Sequence, residues 1–263
     1  MANRKVLMVV RAGDRSLHPQ WIRNEERLFD LHVSYFGLLN DPYPNSCERI
    51  YRSIGSKWVG LADFIRLNPG IFDKYDYICF PDDDILSSQD NINNLCGLLL
   101  KYRPHLAQPA LALNSYFSHK ITLYRPFIDA RRTDFVEVMF PCFRSDFLRE
   151  VSWTFSLNTS GWGLEWLWIK CLRAKFQSPD IYIFDSASVL HTRPVGLFGS
   201  GGANGSPHAE EKILLSKFGL KKHKPKSFGI PMHVRIFHWF YIRSYFLLRN
   251  LQHGIFSMTI KSR

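Results

Sequence analysis

The stretch Tyr77-Ile78-Cys79-Phe80-Pro81-Asp82-Asp83-Asp84-Ile85-Leu86 constrains this chain more than any other. Its first half reads as a short buried β-strand; three consecutive carboxylates follow, and the chain then turns apolar again. In an open α/β sheet ligands bind outside the carboxyl ends of the strands, so a strand that delivers acids at that end reads as one wall of a site. Adjacent carboxylates repel one another and desolvate poorly, which favours a cation beside them. Oxygen ligands suit Mg²⁺ or Mn²⁺, and Mg²⁺ takes one or two protein carboxylates and completes its shell with phosphate and water. Asp82 and Asp84 are therefore candidate ligands of a divalent ion held against a diphosphate. From these residues alone a solvated acidic turn is the alternative.

Strands and helices alternate around this stretch. Lys5 to Val10, His32 to Phe36, Tyr75 to Phe80, Gln108 to Leu113, Ile181 to Phe184 and Val189 to His191 read as strands. Trp21 to Leu31, Lys57 to Asn68, Asn91 to Tyr102 and Asp146 to Trp153 read as helices. Alternation with short connections predicts a mostly parallel α/β sheet flanked by helices. The first strand breaks at Arg11-Ala12-Gly13-Asp14, where a doubly wound domain meets a nucleotide. Neither GxGxxG nor a P-loop lysine is present there. Arg11 and Asp14 are candidate base or ribose contacts, an ordinary first βα loop being the alternative.

Three further places carry candidate chemistry. Glu137 is the lone acid of the run Phe135 to Phe143, so it is either half-exposed on an edge strand or turned into a site. In Ser160-Gly161-Trp162-Gly163-Leu164-Glu165, two glycines free the backbone around a tryptophan that offers a flat surface to a sugar, or belongs to the core. Glu165 then opens a helix, either as a dipole-favoured cap or as a general base at the mouth of a cleft. His191 ends an apolar run and is a third ligand for a transition metal or a structural histidine. The glycine-rich stretch Gly196 to Gly205 after it reads as a lid or a linker.

A net charge of +11 is unevenly spread. Residues 221–263 hold nine lysines and arginines and no acid, which leaves residues 1–220 at +2 and excludes a nucleic-acid-binding body. Plotted as a helix, Ile230 to Phe256 places Arg235, His238, Arg243, Arg249 and His253 on one side. Phe237, Phe240, Tyr241, Leu247, Leu248 and Leu251 take the other, with Trp239, Ile242 and Phe246 intruding on the polar arc. The arginines argue against a membrane span. A basic amphipathic helix on an anionic membrane surface competes with a helix packed on the body or against another copy. Five scattered cysteines with no CxxC pair, and no leader sequence, suggest reduced thiols and a cytoplasmic, at most peripherally membrane-bound, protein.

The order of acidic triplet, Gly-Trp-Gly-x-Glu and strand-histidine resembles glycosyltransferases of the GT-A fold. There a DxD-type motif, matched here by Asp82, Asp83 and Asp84, binds the metal and the nucleotide-sugar diphosphate. Gly161-Trp162-Gly163-Leu164-Glu165 resembles a segment of the β-1,4-galactosyltransferase group, where acidic residues meet the acceptor. That group continues with further acids, and this chain with Trp166 and Leu167. Over roughly residues 50–200 the chain is also similar to domain of unknown function 707, itself regarded as GT-A-like. Lys57-Trp58, Tyr75-Asp76-Tyr77-Ile78, the acids, Gln108-Pro109-Ala110-Leu111, Phe135-Val136-Glu137, Gly161-Trp162-Gly163 and Asp185 to His191 carry that similarity.

The resemblance implies a GT-A-like catalytic domain, taken over residues 1–220, and the charge and periodicity add a basic helical tail over 221–263. It implies sugar transfer from a nucleotide-sugar, a UDP-sugar first, to a glycan or lipid-linked acceptor. Mn²⁺ or Mg²⁺ would lie on Asp82, Asp84 and His191, with Glu165 as the base. Donor contacts would come from Arg11, Asp14, Lys57, Asp82, Asp83, Glu137 and Trp162. A nucleotidyl- or phosphotransferase on a similar sheet, and a non-catalytic membrane adaptor built on the tail, are the competing readings.

Overall fold

Val6–Ala12 forms β1, buried along its whole length, and its side chains alternate between two apolar clusters. Val6, Met8, Val10 and Ala12 enter one cluster, and Leu7 and Val9 the other, so the sheet is covered on both faces. The computed structural model describes residues 5–40, 42–194, 206–230, 232, 234 and 236–247. The Gly196 to Gly205 stretch and the end of the tail lie outside the described residues.

The elements follow as β2 (Phe29–Tyr35), β3 (Arg49–Arg52), α1 (Lys57–Leu67), α2 (Ile71–Lys74), β4 (Tyr77–Cys79), β5 (Ile85–Leu86), α3 (Gln89–Tyr102) and β6 (Leu106–Leu111). Then come β7 (Ala130–Thr133), β8 (Cys142–Arg144), α4 (Ser145–Val151), α5 (Leu164–Lys175), β9 (Ile181–His191), α6 (Pro207–Lys217) and β10 (Ser227–Phe228). The sheet order is β10-β7-β9-β6-β8-β4-β1-β2-β3, with β5 laid on the end of β9. It is a mixed sheet, most of its paired length parallel. The pairings give β1, β2, β3, β4, β6, β9 and β10 one direction, opposed by β5, β7 and β8.

Helix α1 presents Trp58, Leu61 and Phe64 to the second cluster and stops before Pro69. Helix α3 buries Ile92, Leu95, Cys96 and Leu99 on the opposite face of the sheet. Its start is capped by Ser88 Oγ, which accepts from the Asn91 N–H at 3.2 Å. The mostly parallel α/β arrangement with flanking helices is the one the alternating pattern predicts.

Some local expectations change. The helix expected over Trp21 to Leu31 is absent; a 3₁₀ turn, His18–Trp21, is followed by irregular chain up to β2. The cause is tertiary. Gln89 Oε1 accepts from the Arg23 and Asn24 N–H groups, at 2.6 and 3.0 Å, and Asn93 Oδ1 accepts from Leu28 N–H at 2.7 Å. The Leu28 N–H, which a helix would use internally, is taken by α3, and Phe29 to Leu31 pair with β1 instead. The two strands expected around Asp185 are one eleven-residue strand, β9. Asp185 sits fully buried inside it, paired with Arg131 at 3.1 Å. All five cysteines are unpaired, with Cys79, Cys96 and Cys142 buried.

The segment after residue 220 is joined to the body. Ser227 and Phe228 pair antiparallel with β7, and a helical stretch at 236–247 packs Ile242, Tyr245 and Phe246 against the first cluster. Among the described residues no helix is long and apolar enough to cross a membrane.

Candidate functional site

The chain leaves β1 in one direction to form β2 and β3, and returns through α1 to lay β4 on the other side of β1. That reversal makes the carboxyl ends of β1 and β4 a topological switch point, the place where such sheets hold the crevice that takes ligands. Arg11 at the end of β1 bridges to Asp82 just past β4, so the acids stand in this crevice. The Asp82 N–H donates to the Met139 carbonyl at 2.9 Å, and the chain then turns back as β5, where Ile85 pairs with His191. This turn and the end of β9 bring Asp82, Asp84 and His191 together. One ligand atom from each lies within 4.8 Å of the others.

Each acid of the triplet has its own basic partner. Lys57 Nζ lies 2.6 Å from Asp82 Oδ1 and also donates to the Val138 and Met139 carbonyls, at 2.8 and 3.1 Å. Arg193 Nη1 is 3.0 Å from Asp83 Oδ1, while Asp83 Oδ2 accepts from the Gly13 N–H at 3.0 Å. His191 Nε2 is 3.2 Å from Asp84 Oδ2, both side chains buried. Burial pushes the Asp82 and Asp83 carboxyls up and the Lys57 amine down, with the ion pairs pulling the other way.

The imidazole decides what this cluster can hold. His191 Nδ1 lies 2.8 Å from the Tyr116 carbonyl. A carbonyl only accepts, so Nδ1 carries a proton and Nε2 of the neutral ring presents a lone pair to Asp84. Two electron-rich atoms at that distance need a positive centre between them, a proton or a metal ion. Burial opposes charging His191, but the hydrogen bond and charge of Asp84 outweigh it and raise its pKa. A backbone carbonyl orienting a histidine through its other nitrogen is the usual support of a metal ligand. The donor set of one imidazole and two carboxylates fits Mn²⁺, with Mg²⁺ also served by the oxygens.

The remaining candidates divide. Arg11 donates to Ser34 Oγ at 2.9 Å and to the Ser53 and Gly55 carbonyls at 2.8 and 2.7 Å, tying β1 to β2 and to the entry of α1. Burial lowers its pKa to about 10. Asp14 accepts from the Tyr35 hydroxyl and, at 3.0 Å, from the Leu38 N–H, so it organises the loop after β2. Glu137 is neither on an edge strand nor half-exposed. It is buried in the irregular segment before β8, where Oε1 accepts from His119 N–H at 2.8 Å and contacts His119 Nδ1 at 2.9 Å. Its Oε2 has no hydrogen-bond partner.

Two residues that composition and motif did not single out complete the frame. His119 holds Glu137 and stands in the same loop as Tyr116, whose carbonyl orients His191. Residues 137–139 therefore run from the Glu137–His119 pair to the carbonyls that grip Lys57. Arg193, which neutralises Asp83, lies two residues beyond His191, a spacing that tied it to the same strand end. His119 had no such signal, since a histidine in a polar loop has nothing local to mark it.

Gly161 and Gly163 hold left-handed backbone, φ +79° and +93°. A Cβ on Gly161 would come within 1.9 Å of Trp58 Nε1, which ties the turn before α5 to the start of α1, next to Lys57. The Gly161→Ala variant should lose about 2–3 kcal/mol of stability, from forced left-handed backbone and overpacking together, measured by urea unfolding. A loss under about 0.5 kcal/mol would show that Trp58 moves aside freely. Trp162 is half-buried with its ring edge-on to His208, 4.7 Å away.

Glu165 is buried in the first turn of α5, Oε2 accepting from the Gly163 N–H at 3.0 Å. That bond closes the turn that opens α5, and burial pushes the carboxyl up to about 7; nearby Glu211 adds to the rise and His119 counters it. An acid whose pKa is raised on folding binds more protons folded than unfolded between about pH 4.5 and 7, so stability falls as pH rises through that window. In Glu165→Gln this fall, on the order of 2 kcal/mol, should disappear from urea-unfolding free energies measured across the window. An unchanged slope would assign the fall to other groups.

No family model matches the chain, and no curated protein matches it. Among solved structures, TarS 1-349 of S. aureus aligns over 72% of this chain and 60% of its own at 11% identity, TM-score 0.46. The same fragment in complex with UDP aligns over the same shares at 9% identity, TM-score 0.45. A197 from STIV aligns over 69% of this chain and 82% of its own at 12% identity, TM-score 0.39. The chain thus spans 60% of the TarS fragment. With every one of these TM-scores below 0.5, the function has to be argued from the chemistry of this chain's own crevice.

Proposed function

We propose that the chain is a metal-dependent glycosyltransferase that moves a sugar from a nucleotide-sugar, a UDP-sugar first, to a glycan or lipid-linked acceptor. The observation that carries this reading is the gathering of Asp82, Asp84 and His191 in the crevice between β1 and β4, with His191 oriented by the Tyr116 carbonyl. Asp82, Asp84 and His191 hold Mn²⁺ or Mg²⁺. When bound, the ion supplies positive charge against the negative charge that develops on a nucleoside diphosphate leaving group.

Around it the chain's own residues orient the reactants. Lys57 and Arg193, already facing Asp82 and Asp83, line the diphosphate side with positive charge. Arg11 and Asp14 shape the loops at the nucleotide end. The unpartnered Glu137 oxygen accepts a sugar hydroxyl, and Trp162 offers the sugar its ring. Glu165, held protonatable near neutral pH, takes the acceptor hydroxyl proton.

A thermal-shift panel of UDP-, GDP-, CMP- and dTDP-sugars with and without Mn²⁺ tests the reading. At a hundred times Kd a ligand adds about 2.7 kcal/mol, which is about 5–10 °C for a chain of this size. One nucleotide class should raise Tm, only with the metal present. No rise with any donor would refute the transferase, and pyrophosphate release from a nucleoside triphosphate would replace it with nucleotidyl transfer.

A further inference from the structure

The helical stretch at 236–247 is turned the opposite way from what its amphipathic pattern predicts. The residues that interrupt its polar arc, Ile242 and Phe246, are the ones packed on the body with Tyr245, Phe246 meeting the Phe117 ring at 6.3 Å. The face rich in large apolar side chains points to solvent: Phe240 is 57% and Leu247 63% exposed, and Ile236, Phe237 and Trp239 are each about half exposed. Phe127, 75% exposed, extends this surface by laying its ring 5.0 Å from that of Phe237. A contiguous apolar face of this kind on a protein surface marks an interaction site.

Charge and side-chain type say what covers it. The segment from 221 to 263 carries nine lysines and arginines and no acid; Lys222 is paired with Glu211 of α6, and the excess of the others favours an anionic partner. Arg243 is exposed on the same face, its guanidinium 4.0 Å from the centre of the Trp239 ring. Tryptophan and tyrosine beside arginine suit the boundary between lipid headgroups and acyl chains, where the ring is half apolar and the cation meets phosphate. Among the described residues no helix is long and apolar enough to cross a bilayer, and an exposed apolar face flanked by a cation suits binding along a membrane surface.

We propose that the outward face of this helix docks on an anionic lipid surface, Phe240 and Leu247 entering the acyl boundary and Arg243 pairing with headgroup phosphate. The helix rests on Phe117, one residue from Tyr116 and two from His119, so its inner side abuts the loop that orients His191. An acceptor carried on a lipid would then reach the crevice along the membrane. This last step rests on the transferase reading; the docking does not.

Co-sedimentation of the full chain with phosphatidylcholine vesicles, with and without phosphatidylglycerol, reads the docking without any turnover. Binding to the anionic vesicles is expected, weakened by raised salt and by Arg243→Glu. The double variant Phe240→Ser/Leu247→Ser should bind at least about ten-fold more weakly. Both side chains are exposed, so an unchanged circular dichroism spectrum and Tm should accompany that loss. Equal binding to neutral and anionic vesicles, or full binding by the double variant, overturns the proposal. So does a dimer that forms without vesicle binding and is lost in the double variant, which assigns the face to a second copy.

Discussion

If the proposed function holds, Asp84→Asn should lower turnover by about two to three orders of magnitude and remove the metal-dependent part of donor binding, while Tm without metal changes little. A charged group that acts on developing charge in a water-poor crevice is worth about 3–4 kcal/mol, which sets that factor. Asparagine keeps the shape of the side chain and an oxygen for the Arg193 N–H, which Asp84 Oδ2 accepts at 3.1 Å. The Asp84 main-chain carbonyl still accepts from the Thr192 hydroxyl at 2.8 Å, so the turn onto β9 holds. What is lost is the anionic ligand opposite His191. The measurement is kcat/KM for sugar release from the best donor at fixed Mn²⁺, with the Tm of both proteins in chelator as the folding control. Activity within ten-fold of the parent would remove Asp84 from the ligand set.

Asp185→Ala should cost about 3–5 kcal/mol, the largest stability loss expected of any single change outside the apolar core. Asp185 and Arg131 have no exposed side-chain surface, and Asp185 Oδ1 also accepts from the Arg125 N–H at 2.7 Å. Burial pushes the Asp185 carboxyl up to about 6 and Arg131 down to about 9, each against the pull of its partner. The pair as a whole therefore contributes little, yet neither half tolerates loss of the other, since a lone buried guanidinium would keep only its bond to the Leu123 carbonyl, at 2.9 Å, and no opposite charge. The variant Asp185→Leu/Arg131→Met should recover most of the loss in chemical denaturation. A single variant within about 1 kcal/mol of the parent would mean that water reaches Arg131.

The site was legible where local pattern and tertiary position coincide. Asp82 to Asp84 follow a strand, and His191 ends one, so the sheet itself carries them to the same edge. The partners of the acids were less visible. Lys57 opens a helix twenty-five residues before Asp82, and only the return of α1 across the crevice brings them together. Glu137 was marked by its isolation in an apolar run, but its fate depends on His119, which nothing in the sequence connects to it.

Misread elements share one cause, a tertiary contact that overrides a local pattern. Trp21 to Leu31 has helical spacing, yet α3 takes the Leu28 N–H and β1 pairs with its last three residues. The tail has the periodicity of an amphipathic helix, yet Phe117 selects the narrower seam of Ile242 and Phe246. Asp185 resembled the end of a strand because an acid rarely sits inside one; Arg131 on the neighbouring β7 is what permits it.

The central claim is that Asp82, Asp84 and His191 bind one divalent ion together. Crystals grown with Mn²⁺ and UDP, with diffraction recorded near the manganese edge, test it most directly. A single anomalous peak about 2.0–2.3 Å from carboxylate oxygens of both Asp82 and Asp84 and from His191 Nε2, with diphosphate oxygens completing the shell, is the predicted result. A crevice with UDP bound and no anomalous peak, or a peak away from all three side chains, would contradict it.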